Sequence, residues 1–308
     1  MNRKFLKIVF ALVVFSGGAA YAAVGQSSGY ILTRTTSARA FALADSFGSV
    51  DDDISAMEFN PGALATISKA QMSVMYNKGF AEDDYRNIKF GFRRGGSVIG
   101  CSVEYYDAGT LEFYDPAGTL KKVSAEKDII PSVSYAHAVR IGGESVYTGL
   151  TLKYFSSTLV NYKTATAYVG DAGILYSFYK IPLMLGVSAR NFGSKVKYDS
   201  EGDPFPASAS ASGCLHLARN LFVVSDVDYF LYDKIRTVSV GGEWMIKKVL
   251  ALRGGYKFDS GIEQVSFGFG LKLNNFTINY AYRPNKTFNY DQMLSLDFYF
   301  SRPKRKQI

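Results

Sequence analysis

Two cysteines, two histidines, one tryptophan and eight prolines in 308 residues leave little for several kinds of chemistry. Cys101 and Cys214 have no partners at metal-ligand spacing. His137 and His216 are the only histidines, so neither a zinc site nor a Ser-His-Asp constellation is supported. Each histidine reads first as a structural residue. The expectation is no enzyme, no metal and no other cofactor. Long apolar runs are missing too. No segment beyond the first 22 residues holds the roughly 20 apolar residues that a spanning helix needs. An excess of one charge sign is also missing from the body of the chain. The formal charge is +8, but three positive charges lie in the first 22 residues and four in the last eight, which leaves about +1. No nucleic-acid partner is read from that balance.

What is present begins with an export signal. Arg3, Lys4 and Lys7 form a basic start, Ile8 to Phe15 a short apolar run, and Ala20-Tyr21-Ala22 a small-residue cleavage pattern. Residues 1–22 therefore read as a secretory signal peptide. No cysteine follows the cut, which argues against a lipoprotein.

After about residue 70 the dominant signal has period two. Val265, Phe267, Phe269, Leu271 and Leu273 alternate with Ser266, Gly268, Gly270 and Lys272. Phe276, Ile278, Tyr280 and Tyr282 do the same against Thr277, Asn279, Ala281 and Arg283. Charged residues fall on the phase opposite the apolar ones, among them Asp171, Arg190, Glu243 and Arg253. A lipid-facing exterior and a wet interior satisfy both faces at once. Glu243 and Arg253 share the inward phase on neighbouring strands and are expected to pair. Aromatic pairs such as Tyr105-Tyr106 and Tyr154-Phe155 suit the girdles at a membrane interface.

About fourteen strands are counted, with short connections such as Gly95-Gly96 and Lys247-Lys248 alternating with longer ones such as 107–128, 157–165 and 284–291. The predicted fold is all-β: a transmembrane antiparallel barrel over residues 69–300. A basic tail, 301–308, follows it. Leu111 to Val123, with Asp115-Pro116-Ala117-Gly118 at its centre, is expected to form a small hairpin. Phe269 is expected to face lipid, and Gly268 a polar lumen, so that Gly268→Ser is expected to cost far less than Phe269→Lys. Cys101 falls on the lipid phase and Cys214 on the lumen phase, so no disulfide is expected.

Residues 23–68 break the strand pattern. Ala38 to Ala44 is short and helix-compatible. The acidic run Asp51, Asp52 and Asp53 precedes Ile54-Ser55-Ala56-Met57 and is read as a helix cap. A Ca²⁺ site is the weaker alternative, since three consecutive Asp cannot all reach one ion. Asn60-Pro61-Gly62 makes a turn. A fourteen-stranded barrel is wider than its own side chains fill. The segment is therefore expected in the lumen as a hatch or plug, entering from the periplasmic side.

Ser37-Ala38-Arg39-Ala40, Val50 to Ala56 and Asn60-Pro61-Gly62-Ala63-Leu64-Ala65 together resemble the N-terminal signature of the PorV/PorQ family of outer-membrane proteins. A looser form is shared with the wider FadL-like (fatty-acid-transporter-like) barrels. Asp171 to Tyr176, Ala189-Arg190-Asn191-Phe192-Gly193 and Leu252 to Lys257 extend the likeness over most of the chain. The resemblance implies an N-terminal hatch inside a fourteen-stranded barrel. It implies either a binding platform in protein secretion, of the kind that shuttles type IX cargo, or a FadL-like transporter for hydrophobic small molecules gated by the hatch. Two departures stand out. Gly62 follows Pro61 directly, where the family commonly has Asn-Pro-Ala-Gly. The basic tail follows Phe300, where the family usually ends.

The expected location is the bacterial outer membrane with both termini in the periplasm. The expected partners are outer-membrane lipid, with secretion machinery or cargo proteins, or else a hydrophobic ligand.

Overall fold

The computed structural model describes residues 27–300 apart from 80–82, 115–117, 161–162, 260–261 and 286–288. The expected signal peptide and the basic tail lie outside the described residues. Sixteen strands follow in order: β1 (Ala70–Lys78), β2 (Asp84–Arg94), β3 (Ser97–Asp107), β4 (Thr110–Tyr114), β5 (Leu120–Ser124), β6 (Glu126–Ile141), β7 (Glu144–Leu159) and β8 (Lys163–Ser177). Then come β9 (Leu183–Gly193), β10 (Ser208–Ala218), β11 (Leu221–Phe230), β12 (Arg236–Ile246), β13 (Leu250–Asp259), β14 (Ile262–Leu273), β15 (Phe276–Asn285) and β16 (Asn289–Tyr299). Fourteen of them close an antiparallel barrel; β4 and β5 form a separate two-stranded sheet, the expected hairpin. Closure runs through β1 and β16, where Ser73 opposes Asp297 and donates to its carboxylate at 2.6 Å.

The alternation in sequence becomes an inside and an outside. Along β1, Gln71, Ser73, Met75 and Asn77 are buried while Val74 and Tyr76 are exposed. The exposed positions are apolar over most of the wall, as in Ile88, Phe90, Leu150 and Leu152. The buried positions carry Ser, Asn, Lys, Asp and Glu. Such a wall is stable where lipid lies outside and the polar interior finds partners.

Consecutive aromatics divide between the two faces, because side chains alternate. Tyr154 is exposed and Phe155 fully buried, so only one residue of that pair can serve a girdle. The connections expected at 157–165 and 284–291 shorten, because β7 runs to Leu159 and β15 to Asn285. β6 and β7 have 16 residues each, more than the 9–11 or so that cross a bilayer. At the long-loop end their inward residues Asp128, Ile130, Phe155 and Ser157 stay buried.

Residues 27–69 fill the lumen. They hold one short α-helix, Ala38–Ala42, and 3₁₀ turns at Tyr30–Thr33, Ile54–Glu58 and Pro61–Thr66. Ser27 is hydrogen-bonded to Asp233, in the β11–β12 connection. The chain then descends the barrel to Lys69, whose carbonyl accepts from Arg93 beside the Gly95-Gly96 turn. The barrel's first and last strands share the short-turn end, but the first described residue lies at the opposite, long-loop end. The hatch spans the lumen lengthwise instead of entering and returning from one side.

Candidate functional site: a plugged lumen with an apolar mouth

The turn Asn60-Pro61-Gly62 lies flat against the inner wall. Asn60 Nδ2 donates to the carbonyls of Gly48 and Ile174, each at 3.0 Å. Its Oδ1 accepts from Gly62 N at 3.0 Å, and Pro61 opens the 3₁₀ turn that follows. The approach requires glycine on both sides. A Cβ on Gly62 would lie 2.8 Å from the Tyr147 carbonyl, and one on Gly149 would lie 2.3 Å from the Pro61 carbonyl. Gly173 on β8 faces Asn60 in the same way. A larger residue at these positions would lift the turn off the wall.

The acidic run separates into three roles. Asp53 accepts from Ser55 N at 2.8 Å and caps the turn it precedes. Asp51 faces His216 across 3.6 Å. Asp52 has a positive φ of 52° and binds Ser68 Oγ at 2.9 Å and Gln71 Nε2 at 3.1 Å. Of the acidic run read as a helix cap, Asp53 is the residue that caps, because successive residues at this bend point in different directions. Burial, with Asp51 and Asp53 adding repulsion, raises the Asp52 carboxyl to about 6.

Charged side chains tie hatch to wall. Arg39 on the hatch helix reaches Glu243 with two nitrogens, at 2.8 and 3.0 Å, and Asp53 at 2.9 Å. Arg253 donates to the same Glu243 at 2.7 Å and to Asn279 at 2.8 Å, so the expected wall pair gains a third member from the plug. Asp45 meets Lys257 and Arg283, at 3.1 and 3.0 Å. Burial alone would raise its carboxyl, but those two cations hold it well below the ordinary range. Asp226 accepts from the amides of Phe47 and Gly48, both at 2.8 Å. Asp171 pairs with Lys153 at 2.7 Å, and Arg190 with Asp228 at 2.7 Å. Each of these buried charges meets a partner, which low-dielectric surroundings require. The pairs made by Arg39 and Asp45 and the amides of Phe47 and Gly48 tie the hatch to the wall, whereas Lys153–Asp171 and Arg190–Asp228 join wall strands to one another.

A cavity of about 50 Å³ lies above the hatch, bordered by Arg34, Asp45, Glu58, Glu104, Arg190 and Lys257 among others. It holds on the order of four waters, and Leu32, Phe59 and Phe230 share its lining with the charged groups.

The long-loop end differs. There Ile130, Phe155 and Val169 turn inward and pack with Ile31 of the hatch and with Val196 and Phe205 of the β9–β10 connection. Phe155 and Phe205 meet edge to face, 5.1 Å between centroids. The mouth is therefore closed by an apolar cluster over a charged lumen.

Beside it the wall is irregular. Gly170 pairs with Phe192 and Ala172 with Ala189, so Asp171 opposes both Arg190 and Asn191. That is a β-bulge. Asn191 takes φ 60°, and its amide donates to Asp171 at 2.7 Å. On the lipid side of the bulge lies a cleft of about 670 Å³, walled by Tyr135, Leu150, Leu152 and Phe192 with Gly170, Ala172 and Ala189 as its small-residue floor. The bulge and the inward Phe155, Ile130 and Val169 were not anticipated from sequence. The doublets Ile129-Ile130 and Tyr154-Phe155, which break strict alternation, were the available signal.

The remaining residues singled out in sequence fall outside this region. His137 Nδ1 lies 2.9 Å from Ser97 Oγ on the outer face. Cys101 is exposed, Cys214 buried, and both are free thiols.

No family model matches the chain, and no curated protein matches it. Solved structures do. The toluene transporter TodX of Pseudomonas putida superposes with a TM-score of 0.59 at 13% identity, covering 86% of this chain and 96% of that one. The toluene transporter TbuX of Ralstonia pickettii gives 0.59 at 13% identity, over 84% and 98%. A FadL homologue from Pseudomonas aeruginosa gives 0.57 at 14% identity, over 87% and 99%. At these identities the likeness is one of fold: the chain has the FadL-like barrel architecture.

Proposed function

We propose that the protein is an outer-membrane channel for small apolar molecules, in which the hatch is a fixed plug and the β8–β9 bulge is the way out into lipid. One observation carries this reading. The apolar mouth cluster and the lipid-side cleft share a single stretch of wall, where Val169 faces the mouth and Gly170 floors the cleft. A polar solute would need a continuous wet path, and the hatch with its ion pairs to the wall stands across the lumen. An apolar molecule needs only the mouth and the wall. The barrels of similar shape include proteins described as toluene transporters, which supports this ligand class. In this reading the short-turn end faces the periplasm, and residues 1–22 are removed on export.

The test fills the cleft without disturbing the interior. A Cβ on Gly170 meets nothing closer than 3.7 Å, so Gly170→Leu should fold and block the cleft from the lipid side. Toluene uptake by cells expressing the protein should fall to the level of cells without it. Unchanged uptake would overturn the lateral route.

A second reading is a binding platform for exported or secreted proteins, in line with the PorV/PorQ resemblance. The closed, ion-paired interior favours it. It predicts no protein-dependent toluene uptake by the unmodified chain, and loss of bound cargo when the outer hairpin β4–β5 is removed.

A further inference from the structure

The short-turn rim carries an unusual set of cations. Lys69, Arg94, Arg140, Lys180, Lys247 and Lys248 are all exposed there, and among the described residues none of the six forms an ion pair. The carboxylates of this rim are engaged elsewhere: Asp51 with His216, Asp52 with Ser68 and Gln71, Glu144 with the Tyr179 amide. The opposite rim is mixed: Lys122 pairs with Glu112, Lys127 with Asp107, Lys163 with Asp199 and Arg86 with Asp84, while Lys78, Lys195, Lys197 and Lys234 are exposed there too.

A second observation comes from the backbone. Lys247 and Lys248 are the central residues of the β12–β13 turn, closed by Val249 N donating to Ile246 O at 3.0 Å. Both have positive φ, 47° and 62°. Such turns favour Asn-Gly, Asp-Gly or Gly-Gly, because other L-residues are strained in the left-handed region. The turns at Gly142-Gly143 and Asn274 use the favoured types. Two adjacent lysines keep their charge at this turn against the backbone preference.

We infer that the short-turn rim binds the phosphates of anionic phospholipids in the membrane leaflet that surrounds it. The inference rests on reading the barrel as membrane-spanning. The distribution selects lipid over a protein partner. The cations lie at the start of β1 and in four different hairpin turns, so they encircle the barrel instead of forming one patch. Each stands next to an outward apolar or aromatic residue: Phe92, Ile141, Tyr179, Trp244 and Val249 are all exposed on the same rim. That order, aromatic belt and then cation, matches the passage from acyl chain to headgroup.

The test places the full-length mature chain in nanodiscs of phosphatidylcholine containing a minority of phosphatidylglycerol. Native mass spectrometry then counts the lipids that stay bound after transfer to neutral detergent. Phosphatidylglycerol should be enriched over its bulk share on the order of tenfold at low salt, and added salt should reduce the enrichment. K247N/K248G should lower the enrichment several-fold while raising the thermal midpoint, since Asn-Gly suits the turn. R94Q/R140Q should lower the enrichment with no gain in midpoint. Equal retention of the two lipids by the unmodified protein would overturn the inference, and is the outcome expected if the rim served an acidic protein. Both variants keeping full enrichment would overturn it too. Failure to insert into the discs at all would overturn the membrane-barrel reading along with it.

Discussion

Arg39 on the hatch and Glu243 on β12 form a two-pronged ion pair across the interior, with nitrogen–oxygen distances of 2.8 and 3.0 Å. The residues are 204 positions apart in the chain. Arg253 and Asp53 complete the cluster, so removal of the shared carboxylate leaves two buried guanidinium groups short of an anion.

Glu243→Gln should therefore destabilise the folded protein by about 3–5 kcal/mol, as expected when one partner of a buried pair is lost. Glu112→Gln, which breaks an exposed pair on the outer hairpin, should cost no more than about 1 kcal/mol. Denaturant unfolding in detergent checks both. Equal losses would show that the Arg39 cluster is not buried as described.

The two faces of β14 should respond differently, though not as the sequence pattern suggests. Phe269→Lys should cost roughly 2–4 kcal/mol near the bilayer midplane. Gly268→Ser looks harmless from the alternation, because the inner face is polar. In the structure a Cβ there would lie 2.5 Å from Ala42 Cβ and 2.6 Å from the Tyr280 carbonyl. The hatch helix occupies the space, and overpacking should cost about 1–3 kcal/mol. Gly254→Ala, where a Cβ meets nothing nearer than 4.0 Å, should be close to neutral. Refolding assays of the three variants separate these outcomes.

Asp52 should make the hatch junction pH-dependent. Its folded value is raised to about 6, above roughly 3.9 for a free Asp, so the folded state holds its proton longer than the unfolded chain. The stabilisation from this residue is complete below about pH 4 and is lost as pH rises through about 6. Asp52→Asn should flatten that part of the stability–pH curve. A curve of unchanged slope between pH 4 and 7 would show that Asp52 does not titrate as described.

The barrel was legible in the sequence because its evidence is local. β14 and β15 announce themselves by alternation alone, and Gly95-Gly96 and Lys247-Lys248 mark hairpins within a few residues. The inward phase of Asp171, Arg190, Glu243 and Arg253 followed from the same period, as did the Glu243–Arg253 pairing on adjacent strands. What stayed hidden depends on contacts distant in sequence. Nothing near Arg39 points to Glu243, and nothing near Gly149 says that the Pro61 carbonyl presses against it. The three Asp of 51–53 look equivalent as a string, but the positive φ at Asp52 turns them apart. The mouth cluster was hidden for another reason. Phe155 and Ile130 lie on the polar phase, so a period-two reading assigns them to a girdle or to noise.

The central claim is that residues 23–68 close the barrel. Planar-bilayer conductance tests it most directly, comparing the full mature chain with a form lacking that segment, each first shown to be an assembled barrel by heat-modifiable gel mobility. The intact protein should stay closed or nearly so, and the shortened barrel should conduct ions through a lumen that its own wall side chains do not fill. A shortened barrel that assembles and conducts no better than the intact protein would contradict the account.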